Sequence, residues 1–213
     1  MKKIKIAVIG GTGKSGKYLV QQLINQGFQI KLLLRNPDNF QINNNKVEII
    51  EGNVVNYDDI YNLVEGCEAV ISTLGLGIPA NEPTIFSQST INVLKAMNEF
   101  KIQRYIVITG LNVDTPFDNK SEKTAFGTEW MKKNFPVSTA DKQSEYEMLV
   151  KSEVDWTLVR LPMIEQTDET NQISINLQDC PGEKISAINL ANFLIEQLSD
   201  DPFVRKSPFI ANS

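Results

Sequence analysis

The chain contains no histidine. That absence removes a Ser–His–Asp triad, a histidine general base and any histidine-ligated metal. Whatever chemistry occurs must use lysine, tyrosine, serine, threonine, carboxylates or a bound cofactor. Cysteine is nearly as scarce. Cys67 and Cys180 stand far apart and form no Cys-x-x-Cys pair, so they read as thiols of a reducing compartment, with no disulfide and no metal site expected. No run of five like charges occurs. The net charge of −5 argues against a nucleic-acid partner, whose phosphates call for a basic face. Long apolar runs are absent as well. Behind Met1-Lys2-Lys3 the unbroken apolar stretch is only residues 6–9, stopped by two glycines, too short for a signal core or a membrane span. The expectation is a cytoplasmic protein with no membrane partner.

What the chain does have is an ordinary globular composition, 41% hydrophobic and 22% charged over 213 residues, enough for one domain with a sizeable core. Apolar, β-branched runs at 4–9, 29–34, 47–50, 69–73, 105–109 and 156–160 alternate with amphipathic stretches. This is the βαβ rhythm of a parallel sheet. Tyr18, Leu19, Leu23 and Ile24 fall at helical spacing before a stop at Gly27. Further helices are expected over 57–64, from about 81–83 to Asn98, over 141–151 and over 187–198. The reading is a three-layer, doubly wound α/β Rossmann fold as a single domain over 1–213, with residues 161–213 as a small C-terminal extension on the substrate side. One interval breaks the rhythm. Residues 111–137 are polar and punctuated by Pro116, Gly127 and Pro136, with Phe117, Phe126, Trp130 and Phe135 scattered through them. A connection that long either shapes a binding site or is a surface excursion anchored by its aromatics.

The sharpest motif is Gly10-Gly11-Thr12-Gly13-Lys14-Ser15-Gly16, which follows the first strand and opens the first helix. One glycine permits the sharp turn, another lets backbone N–H groups approach a pyrophosphate, and the third allows close helix–strand packing. Gly13-Lys14-Ser15 also suggests a nucleotide-triphosphate P-loop, but that motif needs a glycine where Val8 stands. Arg35 closes the second strand, at the position where NAD sites carry an acid for the ribose 2′-hydroxyl. An arginine cannot accept that bond, yet its planar fork suits a 2′-phosphate, so NADP(H) is favoured over NAD(H).

With these elements placed, the chain resembles the atypical short-chain dehydrogenase/reductases, in particular the NmrA-like group and the biliverdin reductase B (flavin reductase) relatives. The resemblance rests on Ile-Gly-Gly-Thr-Gly-Lys-Ser-Gly at 9–16, Leu-Leu-Leu-Arg-Asn at 32–36, Glu-Gly-Asn-Val at 51–54 and Glu-Gly-Cys-Glu-Ala-Val-Ile-Ser-Thr-Leu-Gly at 65–75. Asp-Trp-Thr-Leu-Val-Arg-Leu-Pro at 155–162 and Ile-Ser-Ala-Ile-Asn-Leu-Ala at 185–191 extend it over essentially the whole chain. The resemblance assigns Gly10, Thr12, Gly13, Lys14, Ser15 and Gly16 to the pyrophosphate loop. It puts Asn53 and Val54 beside the adenine, Leu74 and Gly75 against the ribose and pyrophosphate, and Thr109 near the nicotinamide. Relatives usually have Asp at position 53.

The family's Tyr-x-x-x-Lys dyad is broken here. The comparable segment is Ser138-Thr139-Ala140-Asp141-Lys142, with serine in the tyrosine position, and a serine hydroxyl is a poor general acid near neutrality. Lys142 then either holds the cofactor ribose or pairs with Asp141 or Glu145. Tyr146, one turn further on, is either a packing residue or the acid of a reversed pair. The candidate catalytic set is Lys142, Ser138 and Thr109. The resemblance implies hydride transfer from NADPH to a small planar acceptor of flavin or quinone type. The alternative is a non-catalytic redox sensor acting on a regulatory protein partner; under either reading a monomer or homodimer is expected. A weaker third reading is an epimerase or dehydratase, which needs the tyrosine and a larger domain after Pro162.

Overall fold

The alternation of side chains along the first strand sets the layers. In β1 (Lys5–Ile9), Ile6 and Val8 enter one core while Ala7 and Ile9 enter the other. A strand buried on both faces belongs inside a parallel sheet covered by helices. The chain is described by a computed structural model over residues 4–40, 42–75, 82–199 and 202–213. Its elements after β1 are α1 (Gly16–Asn25), β2 (Gln29–Leu34), β3 (Val47–Glu51), α2 (Tyr57–Val64), β4 (Ala69–Ser72), α3 (Ile85–Phe100) and β5 (Arg104–Gly110). There follow α4 (Glu122–Asn134), α5 (Pro136–Lys151), β6 (Asp155–Leu161), β7 (Met163–Glu165), β8 (Ile173–Asn176), β9 (Lys184–Ser186), α6 (Ala187–Glu196) and β10 (Phe209–Asn212).

Eight strands form one sheet in the order β3-β2-β1-β4-β5-β6-β10-β8, parallel throughout except for β8, which runs antiparallel to β10. β7 and β9 make a separate two-stranded parallel sheet. Helices α2, α3 and α5 cover one face, and α1 with α6 the other. β5 repeats the alternation of β1, with Tyr105 and Val107 under α3 and α5 and Ile106 and Ile108 on the side of α1 and α6. Each such fully buried aliphatic side chain stabilises the fold by about 1.5–3 kcal/mol. Among the described strand residues, Lys31 and Arg160 are buried charges within the main sheet. Lys31, on β2, sends its ammonium to the carbonyls of Asn62 (2.9 Å) and Glu65 (2.8 Å), where α2 exposes its last acceptors.

All six expected strands form, each within one residue of the expected ends, and helix 57–64 matches α2. Two expectations are corrected. The interval 111–137 is no loop, because α4 occupies thirteen of its residues. α5 begins at Pro136 and not at Asp141, since proline at the first helical position suits the fixed φ of a helix start. Asn81, the expected start of the third helix, lies outside the described residues, as do Met1-Lys2-Lys3; α3 itself starts at Ile85. The C-terminal segment supplies α6 to one helical layer and β10 and β8 to the main sheet.

Candidate functional site

The strand order reverses at β1, which has β2 on one side and β4 on the other. Ligands of open α/β sheets bind beyond the carboxyl ends of the strands at such a point. A cleft of about 740 Å³ opens there. Its floor is the glycine loop, contributing Gly10, Thr12, Gly13, Lys14 and Ser15. One wall is the end of β2 and the turn after β3, with Leu33, Leu34, Arg35, Gly52 and Val54. Thr73, Leu74 and Gly75 line the middle, and Ile85, Ile108 and Ile164 close the far end.

The loop is built for close approach. Gly10 has φ +78°, and a Cβ there would lie 2.7 Å from the Thr73 carbonyl carbon and oxygen. Gly16 does not line the cleft. It lets the start of α1 lie against the loop, since a Cβ at Gly16 would collide with the Gly10 carbonyl oxygen and lie 2.7 Å from Gly11 Cα. The Gly13 N–H closes the turn onto the Gly10 oxygen at 3.0 Å. At the helix start, Ser15 is buried and makes no side-chain cap, and the first turn holds no acid. A helix beginning this way presents backbone N–H groups and the positive end of its dipole to whatever occupies the cleft. By contrast, α2 is capped by Asn56, whose side chain accepts from Asp58 and Asp59, and α4 by Ser121.

Arg35 and Lys14 are exposed at the lip of the cleft, and among the described residues none that lines it bears a carboxylate. Asn53 is not among the lining residues. Its side-chain oxygen accepts from the Val55 N–H at 3.3 Å, while its own N–H donates to Asp59 Oδ2 at 2.8 Å, so the chain presents Gly52 and Val54 instead. Val54 is held by Asn92, whose amide donates to the Val54 carbonyl at 2.9 Å.

The three candidate catalytic residues lie away from the cleft lining. Ser138 is half-buried in the first turn of α5. Thr109 is buried with an Oγ1 that has no protein partner among the described residues. Lys142 lies within α5, beyond its first turn. Its ammonium donates to Glu145 Oε2 at 2.8 Å and to the Ile108 carbonyl at 3.1 Å, and sits 3.9 Å from the Phe86 ring centroid. Glu145 is 1% exposed, and it also accepts from Thr90 Oγ1 at 3.1 Å. Burial pushes the Glu145 carboxyl above its ordinary range, with Lys142 opposing. Asp141, beside it, reaches α3 and accepts from the Phe86 N–H (2.7 Å) and the Ser87 N–H (3.3 Å). Tyr146 is a packing residue, edge-on to Trp156 with ring centroids 6.2 Å apart, and burial raises its phenol pKa.

Sequence reasoning passed over several residues. Thr73, Gly52, Ile85, Ile108 and Ile164 line the cleft without having been singled out. Arg160, read as a strand end, is wholly buried. It donates to both carboxylate oxygens of Asp118 (2.7 and 2.8 Å) and to the carbonyls of Ser207 and Leu177, with its guanidinium 3.6 Å from the Phe209 ring centroid. Burial lowers its pKa, with Asp118 opposing. With Lys120, which donates to Asp114 at 2.6 Å and to the Leu111 carbonyl at 2.9 Å, this pair pins the segment between β5 and α4.

Comparison with known proteins agrees with this geometry. Residues 10–201 match the NAD(P)H-binding protein family. A short-chain dehydrogenase/reductase of Veillonella parvula, solved in complex with NADP, superposes with a TM-score of 0.79 at 19% identity, covering 100% of this chain and 95% of the other. The oxidoreductase ylbE of Lactococcus lactis gives a TM-score of 0.79 at 17% identity, covering 99% and 91%. The photosystem II assembly factor Ycf39 of Trieres chinensis is 23% identical over 183 residues, which is 83% of this chain; the match spans 57% of that relative's length. Among the described residues, no helix is long and apolar enough to cross a membrane. The glycine loop at the switch point, the parallel sheet and the family match together place the chain in the NAD(P)H-binding family, with the Rossmann fold of short-chain dehydrogenase/reductases.

Proposed function

We propose that this chain is an NADPH-dependent reductase that delivers hydride to a small planar acceptor of flavin or quinone type, with water supplying the proton. The observation that carries the NADP(H) assignment is the charge of the cleft. Two cations, Lys14 and Arg35, stand on it and no carboxylate lines it among the described residues, in a chain of net charge −5. A cleft selecting NAD would offer an acid to the ribose 2′-hydroxyl; an arginine suits a 2′-phosphate. The tight turn that Gly10 and Gly16 permit, where a Cβ would strike the Thr73 or Gly10 backbone, brings the loop N–H groups and the start of α1 to the cleft, which suits a pyrophosphate. Gly52 and Val54 suit the adenine, and Leu74 and Gly75 the ribose between. When bound, NADPH supplies a hydride from its nicotinamide.

The far end of the cleft supports this acceptor class. Ile85, Ile108 and Ile164 offer apolar contact and exclude water, without an acid or base. Ser138 occupies the motif position of the family's tyrosine and does not line the cleft, and Lys142 is held in its pair with Glu145. An acceptor that needs no enzyme-borne proton fits this end; a carbonyl whose oxygen must be protonated in the transition state does not.

A second reading, a dinucleotide-binding sensor without turnover, is favoured by the absence of an acid and by the relative named as an assembly factor. Titration with NADPH and NADH, followed by NADPH absorbance decay with FMN and simple quinones, separates the two. Tight NADPH binding with turnover supports the reductase. Tight binding without turnover across the acceptor panel supports the sensor. Failure to bind either dinucleotide overturns both.

A further inference from the structure

Beyond α5, the sheet bears a second cavity of about 340 Å³, which shares no lining residue with the dinucleotide cleft. Trp156 and Arg160 of β6 line it from the sheet, Tyr146 lines it from α5, and the exposed ring of Phe117 stands at its rim. Three features of this cavity stay unexplained by the fold. The first is Trp156, which is 4% exposed and whose indole N–H has no acceptor among the described residues. Buried donors in native proteins are rarely left without one.

The second feature is charge. Arg205 and Lys206 line the cavity and are both exposed, and none of its described lining residues is a carboxylate. Arg160, deeper in, is already matched by Asp118. Arg205 donates to the Ser152 carbonyl at 2.8 Å and Lys206 to the Pro202 carbonyl at 2.8 Å. A guanidinium and an ammonium have several further donors each.

The third is backbone strain. Arg205 has φ +56°, a conformation rare for a side chain of this type, and its N–H donates to the Trp156 carbonyl at 2.6 Å. A strained residue that persists at a cavity mouth is over-determined by its surroundings. Here the strain ties a cation to the residue that bears the unpaired indole.

We propose that this cavity is a binding site for a small aromatic carboxylate. The ring lies among Tyr146, Trp156 and Phe117, and the oxygens accept from the Trp156 indole N–H and face the charges of Arg205 and Lys206. The site is separate from the dinucleotide cleft and does not depend on whether the chain turns over its cofactor.

The test uses para-chlorobenzoate as the probe and para-chlorobenzamide as its neutral counterpart, titrated by calorimetry with and without saturating NADP+. Trp130 and Trp156 are the two tryptophans of the chain, so Trp130→Phe makes Trp156 the sole indole reporter. The expected result is saturable para-chlorobenzoate binding that changes Trp156 emission, is unaffected by NADP+, and is at least about tenfold tighter than the amide. Arg205→Asn with Lys206→Gln removes both charges at exposed positions, and asparagine tolerates the positive φ. This pair weakens binding by about tenfold or more. Trp156→Phe keeps a ring and removes the N–H, and weakens binding by about threefold to tenfold. No binding up to about 5 mM, equal affinity for the amide, displacement by NADP+, or unchanged affinity in the double variant each overturns the proposal.

Discussion

Consider Lys142→Met, which removes the ammonium that sits over the Phe86 ring and keeps an unbranched apolar chain. The Glu145 carboxylate, 1% exposed, then loses its 2.8 Å partner and retains the Thr90 hydroxyl at 3.1 Å. Removing one member of a buried pair costs about 3–5 kcal/mol, because a buried charge is left uncompensated. In a domain of this size that lowers Tm by roughly 6–20 °C. The double variant Lys142→Met with Glu145→Leu removes the charge as well and recovers most of the loss, since apolar replacement of a buried pair is often neutral. The pH dependence has a definite sign. Burial already raises the Glu145 carboxyl, and losing Lys142 raises it further. A carboxyl with a raised folded pKa contributes its stability below the unfolded value and loses it as pH rises through the folded one. The single variant's deficit is therefore smallest below about pH 4 and grows on going up to neutrality. Thermal unfolding by circular dichroism at several pH values measures this, alongside NADPH titration well below Tm, where affinity changes by less than about threefold. A fall in NADPH affinity of tenfold or more with little loss of stability, not restored in the double variant, would refute the brace and make Lys142 a cofactor ligand.

Arg35→Ala weakens NADPH binding by about tenfold to a hundredfold, from the loss of charge-assisted bonds, and leaves NADH nearly unchanged; equal losses for both remove Arg35 from the 2′-phosphate site. Gly16→Ala forces a methyl against the Gly10 carbonyl, so it lowers stability by about 1–3 kcal/mol and opens the loop, which titration and a melting curve read together. Asp114 is half-exposed; burial raises its carboxyl pKa, but Lys120 and Lys132 outweigh this and hold it below its ordinary value. Its contribution is thus present above the ordinary aspartate range and lost as pH falls below about 4, seen as faster hydrogen exchange over 111–121 in the wild type and absent in Asp114→Asn. Burial pushes the Cys67 thiol up to about 12 and raises Cys180 too, so the native protein reacts slowly with a thiol reagent at pH 8 and yields both thiols once unfolded in guanidinium.

The central strands were legible because they are buried on both faces, which leaves short apolar, β-branched runs. α4 was not, and the reason is physical. Only Thr124 and Thr128 of that helix are buried, while Phe126 and Trp130 face solvent, so no apolar stripe marks a helix. Its readable signal was local: Ser121 caps the Thr124 N–H, and Lys132 and Lys133 fill the last turn. Short β8 and β10 are strands by virtue of their partners, which a single run of four residues does not announce. In the cleft, the glycine loop and Arg35 were legible because their chemistry depends on local spacing. Ile85, Ile108 and Ile164 were not, since they come from three separate elements and meet only through the crossovers. The burial of Lys142 was equally hidden, because Glu145 is one turn away in any helix and the other acceptor, the Ile108 carbonyl, is 34 residues distant.

Asp141 has a consequence for how an anionic ligand is oriented. Two helices, α1 and α3, begin at the cleft, and each start would attract a phosphate. At α3 that role is already filled from within, since the Asp141 carboxylate holds the Phe86 and Ser87 N–H groups. The field along the cleft is therefore lopsided: an open positive end lies beneath the glycine loop and a neutralised one beside Ile85. A doubly charged diphosphate has one electrostatically favourable seat, and the rest of the dinucleotide must extend from it to either side. The electrostatic asymmetry of the cleft is in this way set by a contact between α3 and α5 whose residues do not line it.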